Sequence, residues 1–442
     1  MMQEKLSRFF RLRDNRTEFS TEITAGITTF LTMSYIIAVN PAILSLHGRG
    51  IPFAGAMTAT IVVASLSTIL MGLMANLPYA LAPGMGLNAF FAYTLVAGMG
   101  LSWQTALGTV LLSGVIFIVL TVAGLRRAVV RAIPEAIRYG VASGIGLFLA
   151  VIGLKAAGFI VPDEVTMVKF GGFSAGVVVF LAGFAITAVL AARGVRGALL
   201  MGIVLTTLLA AIPGRLVPGQ SLLILPDTMM AIPDFQSAFF RFDLAGALRP
   251  ELVGVIFVFL FTDMFDSIST FMGVAQVAGL KDGNGEPRNL NRALMVDALS
   301  TVMSGVAGTS SGTTYIESAA GVREGGRTGL TAVTAGLLFL PFLFFSPVVK
   351  MIPAVATAPV LVMVGFYMMS AIKNVNFSKL EEGLPAFTAM LLIPMCFSIT
   401  QGICWSFLVY TLLMAFRGKI AHIPVLLWVI DALSILVLVM MG

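Results

Sequence analysis

Charged residues are scarce in this chain. Of its 442 residues, 11% are Asp, Glu, Lys or Arg, whereas 58% are hydrophobic. Soluble domains carry about 25% charged residues, so this composition argues against a large soluble core. Many apolar stretches reach the roughly 18 residues with few charges that a membrane-crossing helix needs. The composition therefore predicts a protein that crosses the lipid bilayer many times.

Cysteine and histidine are equally scarce. The cysteines, Cys396 and Cys404, lie in apolar sequence, and the histidines, His47 and His422, lie near the ends of apolar stretches. A structural disulfide, a metal site, a histidine proton relay and a bound cofactor are therefore not expected. The net charge of +6 does not indicate a nucleic-acid partner, because the basic residues lie in short segments between apolar stretches.

Enzyme motifs are missing as well. The sequence has no Walker lysine loop, no HExxH pair and no nucleophile elbow in a strand–turn–helix setting. An ATP-driven pump would need a separate ATPase subunit. We therefore expect a protein that is not an enzyme.

The apolar stretches predict about fourteen membrane segments. Residues 1–21 form a basic lead-in without a signal-peptide cleavage site, and residues 214–249 form a polar linker. A further apolar stretch, 421–441, follows the last two predicted segments. The C-terminal end therefore has three apolar pieces where a fourteen-segment arrangement expects two. The segments are predicted at 22–46, 53–76, 79–98, 102–124, 134–157, 172–193, 196–213, 250–274, 290–306, 309–323, 327–348, 354–373, 384–399 and 400–417.

Basic residues fall in alternate connections, as the positive-inside rule requires. This pattern predicts a multi-pass protein of the cell (plasma or inner) membrane with a cytoplasmic N-terminus. The basic residues expected on the cytoplasmic side are Arg126, Arg127, Arg131, Arg193, Arg196, Lys281, Arg288, Arg292, Arg323, Arg327, Lys373, Lys379, Arg417 and Lys419.

Two of the predicted segments make poor membrane helices. The third begins with YALAPGMGLNAFFAY, in which Pro83, Gly84 and Gly86 interrupt a helix, and the tenth is the hydroxyl-rich GTSSGTTYIESAAG. They stand at matching offsets from the first and eighth segments, so the chain is predicted to repeat a seven-segment unit. Because seven is odd, the second copy enters the membrane upside down. Interrupted segments paired in this way indicate a transporter's binding site near the membrane midplane.

Acidic side chains within predicted spans are the main candidates for function. The stretch FVFLFTDMFDSIST places Asp263 and Asp266 three residues apart, so both can face one groove. Two carboxylates this close inside a membrane do not both ionise easily. Glu317 stands in the tenth segment, beside Thr313 and Thr314. No Lys or Arg is expected within a span core to pair with these acids.

Each candidate also has a structural alternative. Asp263 and Asp266 could cap backbone groups, and Glu317 could satisfy exposed backbone donors. Asn88 follows the Gly-Met-Gly break, where its amide could bind the edge of a heterocycle or cap a half-helix. For Asp297, a structural role is at least as well indicated as a functional one.

Four stretches resemble the signatures of a known family. They are AGITTFLTMSYIIAVNP (25–41), ALAPGMGLNAFF (80–91), FTDMFDSISTFMG (261–273) and GTSSGTTYIESAAGVREGGRTGLTAV (308–333). They look like the nucleobase–cation symporter-2 family, within the xanthine/uracil permease superfamily that includes the nucleobase/ascorbate transporters. The branch they resemble is that of the AzgA-like hypoxanthine–guanine–adenine permeases, over nearly the whole chain.

The resemblance implies an all-α membrane fold with fourteen segments in a 7+7 inverted repeat. A core domain would hold segments 1–4 (22–124) and 8–11 (250–348). A gate domain would hold segments 5–7 (134–213) and 12–14 (354–442). Segments 3 and 10 would each begin with a short extended piece before a half-helix.

The same resemblance implies import of purine nucleobases by proton symport with alternating access, often by homodimers. By the motif match, Asn88, Asp263 and Glu317 fall on substrate-contacting positions, with Thr313 and Thr314 beside them. Proton coupling and transport would involve Asp266 and Asp263.

Three other functions remain as alternatives. A uracil or xanthine carrier of the same superfamily would share these motifs. A sulfate- or bicarbonate-type anion carrier would share the repeat, but a site with three acids repels anions. An intramembrane aspartyl protease would need acids on two facing helices, whereas Asp263 and Asp266 share one helical turn.

Overall fold

Helices form most of this protein, because a backbone in lipid must satisfy its own hydrogen bonds. The computed structural model describes residues 2–125, 133–216, 222–223, 225–226, 228–280 and 287–441. The helices are α1 (Met2–Phe9), α2 (Phe19–Met33), α3 (Ile36–Ser45), α4 (Phe53–Leu70), α5 (Met85–Ala89), α6 (Trp103–Val122), α7 (Glu135–Ala156), α8 (Ala175–Ala192), α9 (Ala198–Leu216), α10 (Leu244–Ala247), α11 (Val253–Ala278), α12 (Leu290–Ala307), α13 (Ser318–Arg323), α14 (Gly329–Phe339), α15 (Ser346–Lys350), α16 (Ala354–Met369), α17 (Leu380–Met395), α18 (Ile399–Phe416) and α19 (Val425–Met441). The strands are β1 (Leu81–Pro83), β2 (Ile160–Asp163), β3 (Met167–Phe170) and β4 (Gly312–Thr314).

Many of these helices can cross a membrane. Eight helical stretches in the described residues are long and apolar enough: Phe19–Ser45, Phe53–Ala75, Trp103–Val122, Glu135–Ala156, Ala175–Ala192, Pro250–Ala275, Ala354–Asn374 and Ile399–Phe416. Shorter apolar helices cover Met85–Gly98, Ala198–Pro213, Gly329–Phe344 and Val425–Val439. The prediction of a multi-pass membrane protein is therefore confirmed. Four basic residues used above for orientation, Arg126, Arg127, Arg131 and Lys281, lie outside the described residues.

Three parts of the fold differ from the sequence-based expectations. The first predicted segment consists of two helices, α2 and α3, which meet at a turn containing Tyr35. The C-terminal end forms three separate helices, α17, α18 and α19, where two spans were expected. The connection between α7 and α8 contains a hairpin of β2 and β3, which the sequence analysis did not anticipate.

The two interrupted segments meet inside the protein, where each contributes one short strand. Strand β1 pairs antiparallel with β4, with Leu81 opposite Thr314 and Pro83 opposite Gly312. Both strands are buried along their whole length. Each leads into a short helix, α5 after β1 and α13 after β4. The predicted extended pieces before half-helices in segments 3 and 10 are confirmed.

The helices pack in two bundles. The crossing bundle contains α2, α4, α6, α11, α12 and α14, which pack around β1 and β4. The flanking bundle contains α7, α8, α9, α16, α17 and α18, which pack mainly on one another. Helix α5, which follows β1, contacts both α7 and α11. The two bundles therefore meet close to the crossing strands.

Candidate functional site

A cavity lies where the two bundles meet. Its wall combines residues of α5 and α11 on one side with residues of α7 and α16 on the other. The cavity is narrow in this conformation, with about 50 Å³ open to the centre of a water-sized sphere. Its position between two bundles, rather than its size, is that of a ligand site.

Asp266 is the acid that lines this cavity. Thr262 and Ser269 line it from the same helix, one turn before and about one turn after Asp266. The rings of Phe261 and Phe265 also belong to the wall, and their centroids lie 4.6 Å apart. The wall thus combines a carboxylate and hydroxyls with aromatic surface against which a flat ligand can pack.

Asp263 has different surroundings, although it lies on the same helical turn. Its side chain is 1% exposed. Its Oδ2 accepts hydrogen bonds from Thr301 at 2.5 Å and from Ser311 at 2.8 Å. The two acids therefore do not face one groove: Asp263 faces α12 and the approach to β4, while Asp266 faces the cavity. The sequence spacing allows either arrangement, because residues three apart on a helix share a face but still point about 60° apart.

Thr313 and Thr314 belong to a buried chain of hydroxyls that ends on Asp297. Ser267 donates to Oδ1 of Asp297 at 2.6 Å, and Thr314 donates to the same oxygen at 3.2 Å. The hydroxyls of Ser267 and Thr313 lie 2.8 Å apart. Buried polar groups need such partners in a low-dielectric interior. In this conformation the two threonines tie β4 to α11 and α12.

Glu317 is held by an aromatic hydroxyl. The hydroxyl of Tyr35 donates to Oε1 of Glu317 at 2.7 Å. Tyr35 itself is 1% exposed and sits at the turn between α2 and α3. Glu317 directly precedes α13 and is partly exposed. Its carboxylate thus lies where the first and tenth segments meet.

Asn88 takes part in a buried amide network. Its Nδ2 donates to Oδ1 of Asn40 at 2.9 Å, and Asn40 in turn donates to Thr60 at 2.7 Å and to Thr309 at 2.9 Å. Asn88 is fully buried, and its Oδ1 has no hydrogen-bond partner in the part of the chain that the structure describes. The network joins α3, α4, α5 and the approach to β4.

The sequence analysis did not single out three polar residues. Asn40, the centre of the amide network, stands in the motif that ends AVNP, which was the available signal. Glu22 is fully buried. Arg138, in the first turn of α7, lines the same cavity as Asp266.

No group of three or more His, Cys, Asp or Glu in the described ranges could hold a metal ion. Asp263 and Asp297 accept hydrogen bonds from hydroxyl side chains, and Glu317 accepts one from Tyr35.

A mostly apolar cavity that contains one carboxylate and one guanidinium, between two bundles of membrane-spanning helices, defines this protein as a polytopic membrane carrier. Comparisons with known proteins agree with that class. A family model described as "Permease family", with the short name Xan_ur_permease, matches residues 20–405. The chain belongs to this xanthine/uracil permease family, whose members are transporters and not enzymes.

Relatives of known name are similar over nearly their whole length. The chain is 42% identical to "Adenine permease AdeQ" of Escherichia coli (strain K12), over 98% of this chain and 96% of that protein. It is 40% identical to "Guanine/hypoxanthine permease PbuO" of Bacillus subtilis (strain 168), over 93% of this chain and 95% of that protein.

Solved structures share the fold. The transmembrane domain of the cyanobacterium bicarbonate transporter BicA superposes with a TM-score of 0.64 and 18% identity, covering 85% of this chain and 95% of that chain. Murine Slc26a9, an anion transporter in the inward-facing state, superposes with a TM-score of 0.63 and 9% identity, covering 90% and 69%. The protein has the 7+7 inverted-repeat fold of these transporters.

Proposed function

We propose that this chain imports purine nucleobases, namely hypoxanthine, guanine or adenine, together with protons. The observation that carries the proposal is the position of Asp266, a carboxylate in the wall of a cavity between two bundles. The adenine and guanine/hypoxanthine permeases among its relatives supply the substrate class.

The cavity chemistry supports a purine. An ionised carboxylate of the proposed substrate site, such as that of Glu317, accepts hydrogen bonds from a ring N–H or an exocyclic amine, and such charge-assisted bonds contribute about 1.5–3 kcal/mol each. The walls near Phe261 and Phe265 offer aromatic surface to a flat ring. Asn88, Asp263, Glu317, Thr313 and Thr314 complete the proposed substrate site. In the present conformation their polar groups are hydrogen-bonded to other side chains, such as Asn40, Thr301 and Tyr35, so they would exchange partners when a nucleobase binds.

The transport cycle that we propose uses alternating access. The crossing bundle corresponds to a core domain (22–124 and 250–348), and the flanking bundle to a gate domain (134–213 and 354–442). A proton from outside neutralises Asp266, or its neighbour Asp263, which lowers the cost of closing the site in a membrane. The bundles then move relative to each other, the site opens to the cytoplasm, and loss of the proton there releases the nucleobase.

Three further features belong to the same proposal. The protein resides in the cell (plasma or inner) membrane, with its N-terminus in the cytoplasm, because the basic connections alternate as the positive-inside rule requires. Lys373 and the start of α7 then lie on the cytoplasmic side, so the cavity opens inward. Homodimers are expected from the family resemblance.

Uptake by purified protein in liposomes tests the proposal. Labelled hypoxanthine is offered with an inward proton gradient and is competed by guanine, adenine, xanthine, uracil and sulfate. Concentrative uptake that purines inhibit supports the proposal, and the order of inhibition identifies the preferred base. Inhibition by uracil or xanthine instead indicates a uracil or xanthine carrier of the same superfamily. Inhibition by sulfate alone indicates an anion carrier.

A further inference from the structure

Arg138 brings a positive charge to the cavity from the bundle opposite Asp266. It stands on α7, in the flanking bundle, and lines the same cavity as Asp266 of α11. In a carrier these bundles move relative to each other. The distance between the two opposite charges therefore changes during the cycle, unlike the distance between two charges within one bundle.

The guanidinium of Arg138 is held only weakly where it now lies. Its Nη2 donates to Oε1 of Glu135 at 3.0 Å, and the Glu135 side chain is 73% exposed. Exposed ion pairs add little stability. The Nε of Arg138 is buried without a hydrogen-bond partner among the residues that the structure describes. Arg138 therefore keeps unused donors and can leave Glu135 at small cost.

The guanidinium is also already close to the helix of Asp266. Its carbon lies 5.5 Å from the centre of the Phe265 ring, a distance at which a cation is attracted to an aromatic face. Phe265 immediately precedes Asp266 along α11. Arg138 and Asp266 line one cavity, so a change of the Arg138 rotamer together with bundle movement can carry the guanidinium toward the carboxylate.

Asp266 needs such a partner at one stage of the cycle. Its electrostatic neighbours within the crossing bundle include Asp297 and Glu317, which carry the same sign of charge. After a proton and a nucleobase have left, the site must close again while empty. Closing it around a bare carboxylate is costly in a membrane, and a neighbouring cation removes that cost.

We propose that Arg138 is the mobile counter-ion of Asp266 in the empty carrier, an inference that rests on the function proposed above. In the empty state the guanidinium moves from Glu135 to the ionised carboxylate, and the carrier returns closed. When proton and nucleobase are bound, the carboxylate is neutral and Arg138 stays with Glu135. Arg138 thus acts on transport through Asp266, as a positioning residue.

Two transport assays separate this role from a structural one. Net uptake requires the empty carrier to return, whereas exchange of external label for internal nucleobase does not. For Arg138→Gln, we expect net uptake of hypoxanthine to fall by roughly tenfold or more, because a charge has lost its partner, and exchange to continue at the wild-type rate. Arg138→Lys keeps a cation and should restore part of the net uptake.

Two further variants complete the test. Glu135→Gln removes the surface partner of Arg138 and should leave both assays unchanged. Adding Asp266→Asn to Arg138→Gln removes the charge that must be neutralised. Hypoxanthine should then again equilibrate across the membrane down its concentration gradient, without being concentrated. Equal loss of net uptake and exchange in Arg138→Gln, or no change in either, overturns the counter-ion role. A wild-type protein that moves no nucleobase in either assay refutes the proposed function, and the counter-ion role with it.

Discussion

The hydroxyl of Tyr35 donates a 2.7 Å hydrogen bond to Glu317 across 282 residues of sequence. It joins the turn between α2 and α3 to the residue that precedes α13. Tyr35 follows α2 of the crossing bundle, and Glu317 follows the buried pairing of β1 with β4. The bond therefore orients a carboxylate at the meeting point of the two halves of the repeat.

Replacing Tyr35 by Phe should weaken nucleobase binding. Hydrogen bonds to charged groups contribute about 1.5–3 kcal/mol, so the apparent affinity is expected to fall by roughly tenfold. Measuring KM for hypoxanthine uptake in proteoliposomes checks this. Tyr79→Phe is the matched control, because Tyr79 is also fully buried but its hydroxyl makes only a 3.5 Å contact to a backbone carbonyl. An unchanged KM in Tyr35→Phe would show that Glu317 does not need this donor.

Asp266→Asn should abolish accumulation that a proton gradient drives. The amide cannot take up a proton, so uptake is expected to equilibrate the nucleobase without concentrating it, and exchange should continue. Uptake at equal and at unequal pH across the membrane measures this.

The control for this variant is Asp163→Asn, in the β2–β3 hairpin. Hydrogen bonds from Lys169 and Thr166 hold the pKa of the Asp163 carboxyl below its usual value, so this acid stays ionised and should not couple to transport. Gradient-driven accumulation that survives in Asp266→Asn would assign the coupling proton to another group.

Asp263→Ala should destabilise the protein more than Asp266→Ala does. Two buried hydroxyls, those of Thr301 and Ser311, donate to Asp263, and unsatisfied buried donors cost about 1–3 kcal/mol. Thermal unfolding of the two variants in the same detergent provides the comparison. Equal stability of the two proteins would mean that the hydroxyls find other acceptors.

Glu22→Ala should be among the most destabilising substitutions of an acid in this chain. Glu22 accepts hydrogen bonds from the backbone N–H groups of Arg327, Thr328 and Thr331 and from the hydroxyls of both threonines. It thereby caps the start of α14 from α2, and its loss should lower the free energy of unfolding by about 3 kcal/mol or more.

The exposed Glu18, four residues earlier, is the matched control, because Glu18→Ala removes a similar charge that makes no side-chain cap. Unfolding of both variants in detergent should show a large loss only for Glu22→Ala. A Glu22→Ala protein as stable as Glu18→Ala would mean that water replaces the cap.

Gly86→Ala should block movement between the bundles. A Cβ at this position would lie 2.5 Å from Cγ2 of Ile145, on α7. Overpacking of this kind costs about 1–3 kcal/mol, and here it falls on a contact between bundles, so transport should fall while the protein stays folded. Adding Ile145→Ala removes the clashing atom and should restore uptake. Failure of the double variant to recover would trace the defect to the backbone of α5.

Much of the membrane architecture was predictable because it depends on local properties. Apolar stretches such as 103–122 are long enough to cross a membrane whatever they pack against. Pro83, Gly84 and Gly86 interrupt the third segment, and the structure has strand β1 and the short helix α5 there. The C-terminal region was harder, because Pro385 and Pro394 lie inside a helix and three consecutive apolar pieces allow several span assignments.

The partners of the site residues were not predictable in the same way. Asp263 and Asp266 differ little in local sequence, yet one binds two hydroxyls and the other lines the cavity. Arg138 stands in an ordinary apolar helix, and only the packing of α7 brings it opposite Asp266.

The sequence by itself determined that the chain lives in a membrane and that its two halves repeat in opposite orientation. It also placed Glu317 and Asn88 at the two breaks, and Asp263 and Asp266 within a membrane span. These properties follow from the free-energy cost of moving each residue into lipid. Whether a stretch can cross the membrane depends on that cost summed over neighbouring residues, which the sequence shows directly. Tertiary structure alone decided that Glu22 caps α14, that Asn88 meets Asn40 and that Asp266 rather than Asp263 reaches the cavity. The physical reason is that hydrogen bonds depend on ångström-scale distances between helices that are remote in sequence, and only the packed bundles set those distances.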